Sequence, residues 1–183
     1  MSITKTISMR FRQATRQDIS SIAAIYERIH DQEETGQTTI GWVRGIYPVR
    51  RTAEDALNRG DLFVCEIEGS IVASGVINNK QVPEYAQGEW AHQVAEDEAL
   101  VLHTLTVDPE HASHGIGKSF VGYYERYAQE HGYHELRLDT NVRNRIARKL
   151  YPRLGYQERG IVPCDFNGIE HVQLILFEKY LTY

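Results

Sequence analysis

The segment from Ala99 to His131 constrains the fold of this chain more than any other. Residues 99–107 (ALVLHTLTV) form an apolar run typical of a buried strand, and Asp108-Pro109 ends it. From Gly115 onwards apolar side chains recur at helical spacing, at Ile116, Phe120, Tyr124 and Ala128. The sequence therefore predicts a strand, a short glycine-containing loop and a helix, an arrangement that can bind a phosphate at the helix N-terminus.

The loop fits two phosphate-binding patterns. Residues 112–119 (ASHGIGKS) match the loose nucleotide-binding pattern A/G-x-x-x-x-G-K-S and also the looser pattern x-x-x-G-x-G. Because Gly115 and Gly117 lack a Cβ, the backbone there can approach a pyrophosphate and turn its N–H groups toward it. The alternative interpretation is a glycine-rich turn that only starts a helix.

Other segments place this unit in a mixed α/β chain. Strands are predicted at residues 9–14, in a hairpin around Glu68-Gly69-Ser70, at 135–138, and at 156–162 and 172–177. Helices are predicted to begin near Thr15 and Asp18, at Thr52 and at Asn144. The order β-α-α-β-β-β-α-β-α-β-β predicts one mixed α/β domain over residues 9–183, preceded by a tail of residues 1–8.

Composition and charge exclude several classes of protein. A formal charge of −5 argues against a general nucleic-acid binder. No apolar run approaches the roughly 20 residues of a membrane helix, and the first residues lack the core of a signal peptide. Cys65 and Cys164 have no C-x-x-C spacing, which favours a reduced, cytoplasmic protein.

The charges are distributed unevenly along the chain. Five cations crowd residues 143–153, and five acidic residues crowd residues 84–98. Such runs are usually solvated faces. The alternative is a cavity with a basic end for an anionic cofactor and an acidic mouth for a cationic substrate.

The rest of the sequence disfavours a nucleotide-binding P-loop fold. In a chain of 183 residues, too little sequence follows Lys118 for the further βα units that this fold needs. The nearest carboxylate after a strand is Asp139, and Arg137 interrupts the apolar run before it. A dinucleotide-binding loop is disfavoured as well, because residue 120 is Phe where a third glycine is needed.

Three linked motifs resemble those of the GNAT superfamily of N-acetyltransferases. They are L-T-V-D-P at residues 105–109, H-G-I-G-K at 114–118 and N-x-x-A-x-x-L-Y-x-x-L-G-Y at 144–156. The resemblance implies a splayed mixed sheet of about seven strands flanked by helices. It also implies that acetyl-CoA binds as the cosubstrate and that its acetyl group is transferred to a primary amine.

The resemblance also implies which residues bind the cosubstrate. They are Leu105, Thr106, Val107, Ser113, His114, Gly115, Ile116, Gly117, Lys118 and Asn144. One position departs from the family pattern, because Ala112 stands where Arg or Gln is usual and cannot donate a side-chain hydrogen bond to a phosphate. His114 and Lys118 are expected to supply part of the missing charge.

Acyl transfer to an amine needs a base for the ammonium and an acid for the departing thiolate. Tyr151, seven residues after Asn144 and so on a similar face of the helix, is the predicted acid, and a packing role is its alternative. His103 is the predicted base, acting through water, since regular pairing would place it on the face of Leu105. Glu98 is the second candidate for the base.

The expected partner is a small-molecule or peptide amine, with a homodimer possible and with no nucleic acid or membrane involved. No metal is expected, because no acids or cysteines complete His111-x-x-His114 or His131-x-x-His134. Neither cysteine lies in the motif region, which favours direct transfer over a covalent enzyme intermediate. The rival functions are a catalytically silent acyl-CoA sensor and a P-loop protein that binds ATP with Mg²⁺.

Overall fold

The computed structural model describes residues 8–112 and 114–183. Seven strands and four α-helices alternate in the predicted order. The strands are β1 Met9–Gln13, β2 Leu62–Ile67, β3 Ser70–Asn78, β4 Ala99–Val107, β5 Glu135–Asn141, β6 Gln157–Phe166 and β7 Ile169–Tyr180. The helices are α1 Ile19–Glu34, α2 Arg50–Arg59, α3 Ile116–Glu130 and α4 Arg145–Arg153. The mixed α/β fold with seven strands and flanking helices is confirmed.

The seven strands form one sheet in the order β1-β2-β3-β4-β5-β7-β6. Only β4 and β5 are parallel, and their pairing begins at Ala99↔Glu135 and ends at Leu102↔Leu138. Both strands continue beyond that point, β4 to Val107 and β5 to Asn141. The sheet is therefore splayed in its middle, and the backbone groups along that side of residues 103–107 have no strand partner.

An irregularity in β4 coincides with this divergence. Thr104 has a left-handed φ of 49°, and the pairing of β3 with β4 shifts between Ser74 and Val76. Leu100 and Leu102 lie in the same core cluster as α3, and beyond the shift Leu105 and Val107 pack against that cluster. Residues 102 and 105 lie on the same face although they are three positions apart, so the strand has one extra residue there, as in a β-bulge.

The two faces of the sheet are covered differently. The cluster on one face contains α3 and α4 side chains, among them Phe120, Tyr124 and Tyr151. On the opposite face α1 and α2 cover β2 and β3, through residues such as Ile22, Ala53 and Val64. The second half of that face is covered by residues of the 79–98 connection, including Tyr85 and Trp90. A cleft remains between these two coverings.

The long 79–98 connection is fastened to the sheet by buried charge. The Glu178 carboxylate on β7 accepts hydrogen bonds from the backbone N–H groups of Ala91 and His92, both at 3.0 Å, and from Arg159. Arg137 on β5 donates to the carbonyl oxygen of His92 at 3.0 Å. These bonds use the polar residues that interrupt the apolar strands, so the connection has a fixed path over the sheet.

Two local predictions needed correction or extension. The predicted cap at Thr52 is wrong, because α2 begins at Arg50 after Val49, and Thr52 Oγ1 instead accepts from the Val49 N–H at 3.0 Å. The strand predicted at residues 135–138 continues to Asn141. The hairpin is confirmed, with Glu68 and Gly69 both at positive φ as a tight two-residue turn requires.

Gly75→Ala is expected to destabilise the protein by about 1–3 kcal/mol, in the range of core overpacking. A Cβ at Gly75 would lie 2.8 Å from Phe120 Cε1 and 3.2 Å from Leu102 Cδ1. Chemical denaturation of the parent and the variant measures the change.

Gly122→Ala in α3 is the matched control for Gly75→Ala. A Cβ at Gly122 meets only Arg126 Nη1, at 3.8 Å, so helix propensity should make this change stabilising by about 0.5–1 kcal/mol. If Gly75→Ala were as stable as the parent, the contact with Phe120 would not limit the packing of β3.

Candidate active site

A small cavity of about 80 Å³, partly open to solvent, occupies the place where β4 and β5 diverge. Its lining combines aromatic and aliphatic side chains with a few polar groups from six parts of the chain. They are Ile40, Gly41, Trp42, Tyr47, Thr104, Leu105, Asp139, Thr140, Asn141, Asn144, Tyr151, Phe166, Ile169, Val172 and Leu174. The splayed sheet thus gives access from both of its faces to a single chamber.

Tyr151 lies at the wall of this cavity that α4 supplies. Its ring is packed edge-on against Tyr156 and Phe177, with centroids 6.0 and 5.4 Å away. Burial raises the pKa of the Tyr151 hydroxyl, and the charge of Asp139 raises it further. Within residues 8–112 and 114–183 this hydroxyl has no hydrogen-bond partner, so it is available to a molecule in the cavity as a proton donor.

Asn144 lies close to Tyr151 in the cavity lining, as the spacing predicted. Its Oδ1 accepts from the Ala147 N–H at 3.1 Å, which caps α4, and its Nδ2 donates to Thr140 Oγ1 at 3.0 Å. Asn144 therefore already fixes the start of the helix that carries Tyr151. Its predicted contact with a cosubstrate stays a prediction.

Asp139 is a cavity residue that the sequence analysis considered only as a nucleotide-binding carboxylate. Its Oδ2 accepts a hydrogen bond from the Tyr85 hydroxyl at 2.8 Å. Burial raises the pKa of Asp139 to about 6, although the Tyr85 hydrogen bond lowers it. No basic side chain in the described parts of the chain forms an ion pair with this carboxylate. A sequence signal existed, since Asp139 is an acid near the end of a largely buried strand.

Three aromatic rings, those of Trp42, Tyr47 and Phe166, line another part of the cavity. Tyr47 lies edge-on to Trp42, with centroids 6.0 Å apart, and to Phe166, at 5.8 Å. The hydroxyl of Tyr47 is hydrogen-bonded to Thr104 Oγ1 at the bulge of β4. Phe166 had no recognisable signal in the sequence.

The segment of residues 35–49 that carries two of these rings is held at both ends. Glu33, near the end of α1, accepts from the N–H groups of Ile40 and Gly41 at 2.7 and 2.8 Å. Gly41 has a φ of 86°, and a Cβ there would overlap the side-chain amide of Asn141. Glycine is thus required where this segment crosses the end of β5.

The glycine loop lies between β4 and α3, at the exposed edge of this site. Gly115 adopts a φ of 71° and precedes the first turn of α3, where Ile116, Gly117 and Lys118 contribute backbone N–H groups. A Cβ at Gly117 would make only ordinary contacts, with Leu150 and Val107 at 3.7 Å. Neither backbone angle nor internal packing therefore requires a glycine at 117, and close approach of a ligand is the remaining reason for one.

The charged residues of the loop are arranged as expected for a solvent-facing anion site. His114 and Lys118 are exposed, as is Ala112. The neighbouring helix α4 carries exposed Arg145, Arg148 and Lys149, and its Leu150 faces Gly117. Ser113, a predicted binding residue, lies outside the described residues.

The three residues predicted from β4 differ in what they expose. Leu105 lines the cavity, and Val107 is half-buried beside the α3 core. The Thr106 side chain is buried on the β3 side, where its hydroxyl is hydrogen-bonded to Ser74 Oγ at 2.7 Å. A ligand between the strands can therefore contact the backbone of Thr106 but not its hydroxyl.

The structure separates His103 from Leu105. The expectation that they share a face is wrong, because the bulge at Thr104 adds one residue between them. The His103 Nε2 atom lies 3.1 Å from Asn78 Oδ1, in a second, open cleft that also borders α2 and that meets the cavity at Tyr47 and Thr104. Burial lowers the pKa of His103 to about 4.

Glu98 is far from both Tyr151 and the glycine loop. It is exposed just before β4, and its Oε2 accepts from the Ala95 N–H at 2.9 Å. Seven residues of extended strand separate it from Leu105, a span of roughly 20 Å. The structure thus does not bring Glu98 to the cavity that contains Tyr151.

Asp139→Asn is expected to stabilise the protein at pH 8 and to have little effect near pH 4. Because the folded pKa of about 6 exceeds the ordinary value of 3.8, the cost of the buried charge is absent below about pH 4, grows between the two values and is complete above about pH 6. The difference corresponds to at most about 3 kcal/mol. Urea denaturation at both pH values measures it, and an equal gain at pH 4 would contradict this origin.

Comparison with known proteins finds similarity to acetyltransferases. The family model described as "Acetyltransferase (GNAT) family" matches residues 22–156. An uncharacterised N-acetyltransferase of Methanocaldococcus jannaschii is 28% identical over 100 residues, which cover 55% of this chain and 40% of that protein. N-acetyltransferase 8B of Homo sapiens is 38% identical over 64 residues, covering 35% of this chain and 28% of its own. The matched part is thus less than half of either relative.

A solved structure extends the likeness to almost the whole chain. An acetyltransferase of the GNAT family from Streptococcus agalactiae 2603 superposes with a TM-score of 0.79, at 22% identity and with 96% of each chain covered. In the described residues, no helix is long and apolar enough to cross a membrane. By its family match over residues 22–156 and by its splayed sheet, the chain belongs to the GNAT acetyltransferase family.

Proposed function

We propose that this protein transfers the acetyl group of acetyl-CoA directly to a primary amine. One observation carries the proposal: the unpaired edge of β4, the free hydroxyl of Tyr151 and a buried carboxylate all border the same cavity. An amine can reach this cavity from the α2 side of the sheet, while a thioester can enter along the α3 side.

The residues present fit acetyl-CoA. The unpaired backbone of Leu105, Thr106 and Val107 would pair with the pantetheine amides, as an added strand does. The N–H groups of residues 115–118 would bind the pyrophosphate, with His114, Lys118 and the cations of α4 nearby. A Cβ at Gly117 would be added at the start of α3, 3.7 Å from Leu150 and Val107, where the pyrophosphate would approach the backbone. When bound, acetyl-CoA supplies an activated acyl group and a thiolate leaving group.

Tyr151 is assigned the role of acid. Because the hydroxyl has a raised pKa and no partner among the described residues, it stays protonated near neutral pH and can donate to the thiolate as negative charge develops on sulfur. A backbone N–H on the unpaired edge of β4 can donate to the carbonyl oxygen as negative charge develops there. These two donors serve different atoms of the same thioester.

Direct transfer is favoured over a covalent enzyme intermediate. Burial raises the pKa values of Cys65 and Cys164 to about 11, so both thiols are protonated near neutral pH. Neither cysteine is among the residues that line the cavity. The roles predicted for His103 and Glu98, the homodimer and the cytoplasmic location stay predictions.

Acetyl-CoA is expected to raise the melting temperature of the protein, whereas ATP with Mg²⁺ is not, because a ligand that binds the native state stabilises it. Gly117→Val should abolish most of this shift by filling the space that the pyrophosphate needs. Differential scanning fluorimetry with each ligand makes both measurements.

Gly122→Val, about one and a half turns later in α3, is the matched control, since it makes the same change of residue in the same helix. It should keep the acetyl-CoA shift of the parent, since its Cβ meets only the end of the Arg126 side chain, at 3.8 Å. Stabilisation by ATP with no response to acetyl-CoA would overturn the proposed function in favour of a nucleotide-binding protein.

Tyr151→Phe should lower kcat by roughly 10²-fold or more with little change in acetyl-CoA affinity, because the hydroxyl acts chiefly as the thiolate departs. Free-thiol release with a panel of primary amines measures turnover. The adjacent Tyr156→Phe is the control, since the Tyr156 hydroxyl is buried without a hydrogen-bond partner among the described residues and does not line the cavity. Equal rates for the parent and Tyr151→Phe would leave Tyr151 as a packing residue.

A further inference from the structure

The cavity is lined by a carboxylate together with aromatic rings, a combination that suits a cation better than a neutral substrate. Among its lining residues only Asp139 has a side chain that ionises near neutral pH. The lining also contains the three rings of Trp42, Tyr47 and Phe166, in which Tyr47 lies edge to face with the other two. A carboxylate beside several aromatic faces is a favourable environment for an ammonium ion, through an ion pair on one side and cation–π contacts on the others.

One of the two oxygens of the Asp139 carboxylate accepts a hydrogen bond. Oδ2 accepts from the Tyr85 hydroxyl, and in the described residues no protein donor reaches Oδ1. Arg137, two residues earlier on β5, is bonded instead to Glu135, to Gln81 and to the carbonyl of His92. The cation nearest in sequence is therefore committed elsewhere.

The groups that face Asp139 do not supply a positive charge. They are Glu84 and Tyr85 from residues 83–87, Tyr47 from the 35–49 segment, Tyr151 from α4 and Cys164 from β6. Buried charges in proteins are normally paired. A carboxylate that lines a cavity without a cation from the described residues of its own chain points to a cation in the ligand.

We propose that the cavity receives the acceptor amine as an ammonium ion, which Asp139 binds through Oδ1 while Trp42, Tyr47 and Phe166 enclose it. The acceptor class is thus a primary alkylamine that is cationic near neutral pH. This proposal rests on the proposed function, because it assigns the acceptor side of the same cavity. It also gives Asp139 a second role, as the base that takes the proton from that nitrogen.

The proton balance of this step is complete without any further reactant. The ammonium nitrogen passes one proton to Asp139, and its lone pair forms the C–N bond to the acetyl carbon. As the C–S bond breaks, sulfur takes the electron pair and the proton of Tyr151. The second proton lost by nitrogen restores the Tyr151 hydroxyl, and the proton on Asp139 goes to solvent.

Tyr85 is a positioning residue in this scheme. Its hydrogen bond orients the carboxylate and lowers the pKa of Asp139, whose burial raises it to about 6. The rate with an alkylamine should therefore fall as the pH drops through an apparent pKa near that value. Tyr85→Phe should move this limb to higher pH, and Asp139→Asn should remove it.

The test compares two probes of similar size and different charge. Near pH 7.5 benzylamine is an ammonium ion, whereas phenylhydrazine is uncharged. Asp139→Asn should lower kcat/KM for benzylamine by about 10²-fold or more and for phenylhydrazine by less than about 5-fold. Glu84→Gln is the matched control, since it removes a nearby carboxylate outside the cavity lining, and it should change both values by less than about 3-fold.

A binding measurement separates this proposal from the proposed function. With CoA present and no acetyl group to transfer, benzylamine should raise the melting temperature of the parent but not that of Asp139→Asn. If acetyl-CoA and benzylamine both stabilise the parent and no amide forms, the proposed transfer is wrong while the ammonium site stands. If Asp139→Asn and the parent respond alike to benzylamine in both assays, or if both probes lose rate equally, the ammonium site is overturned.

Discussion

The divergence of β4 from β5 after Leu102↔Leu138 is the constraint on which the rest of this structure depends. A sheet that stayed paired would satisfy its backbone groups internally and would separate its two faces completely. Here the positive φ at Thr104 and the shift in pairing with β3 bend β4 away, so an edge is exposed in the middle of the molecule. Donor and acceptor can then meet from opposite faces.

The charged residues of β5 and β7 also differ between the paired part of the sheet and the part where β4 and β5 diverge. Where the strands remain paired, the buried Arg137 donates to Glu135 and to the His92 carbonyl, and the buried Glu178 accepts from the Ala91 N–H of the 79–98 connection. Where the strands part, Asp139 continues the same face of β5, and among the described residues its partner is a tyrosine hydroxyl. The first group holds the structure together, and the isolated carboxylate lowers its stability in a place where a ligand can compensate.

The sequence predicted the fold because the element order depends on local patterns, and the residues proposed for the acyl donor come from the same patterns. Periodicity, glycines and turn residues sit within a few positions of one another in residues 99–156, and a local signal survives without knowledge of the tertiary structure. The acceptor half could not be predicted in that way. Phe166 and Tyr47 come into contact only once the chain is folded. The one-residue bulge at Thr104 places His103 on the face opposite to the one predicted.

The 35–49 segment has a further consequence for how such a protein can change. It is anchored to α1 through Glu33 and to β4 through the hydroxyl of Tyr47, at the cavity wall. Under the proposed function, substitutions at positions such as Trp42 can therefore alter the choice of amine while the strand, loop and helix proposed for the acyl donor stay as they are. Asp139 apart, the residues proposed for the acceptor lie on other stretches of the chain than those proposed for the donor, so one set can diverge while the other is kept.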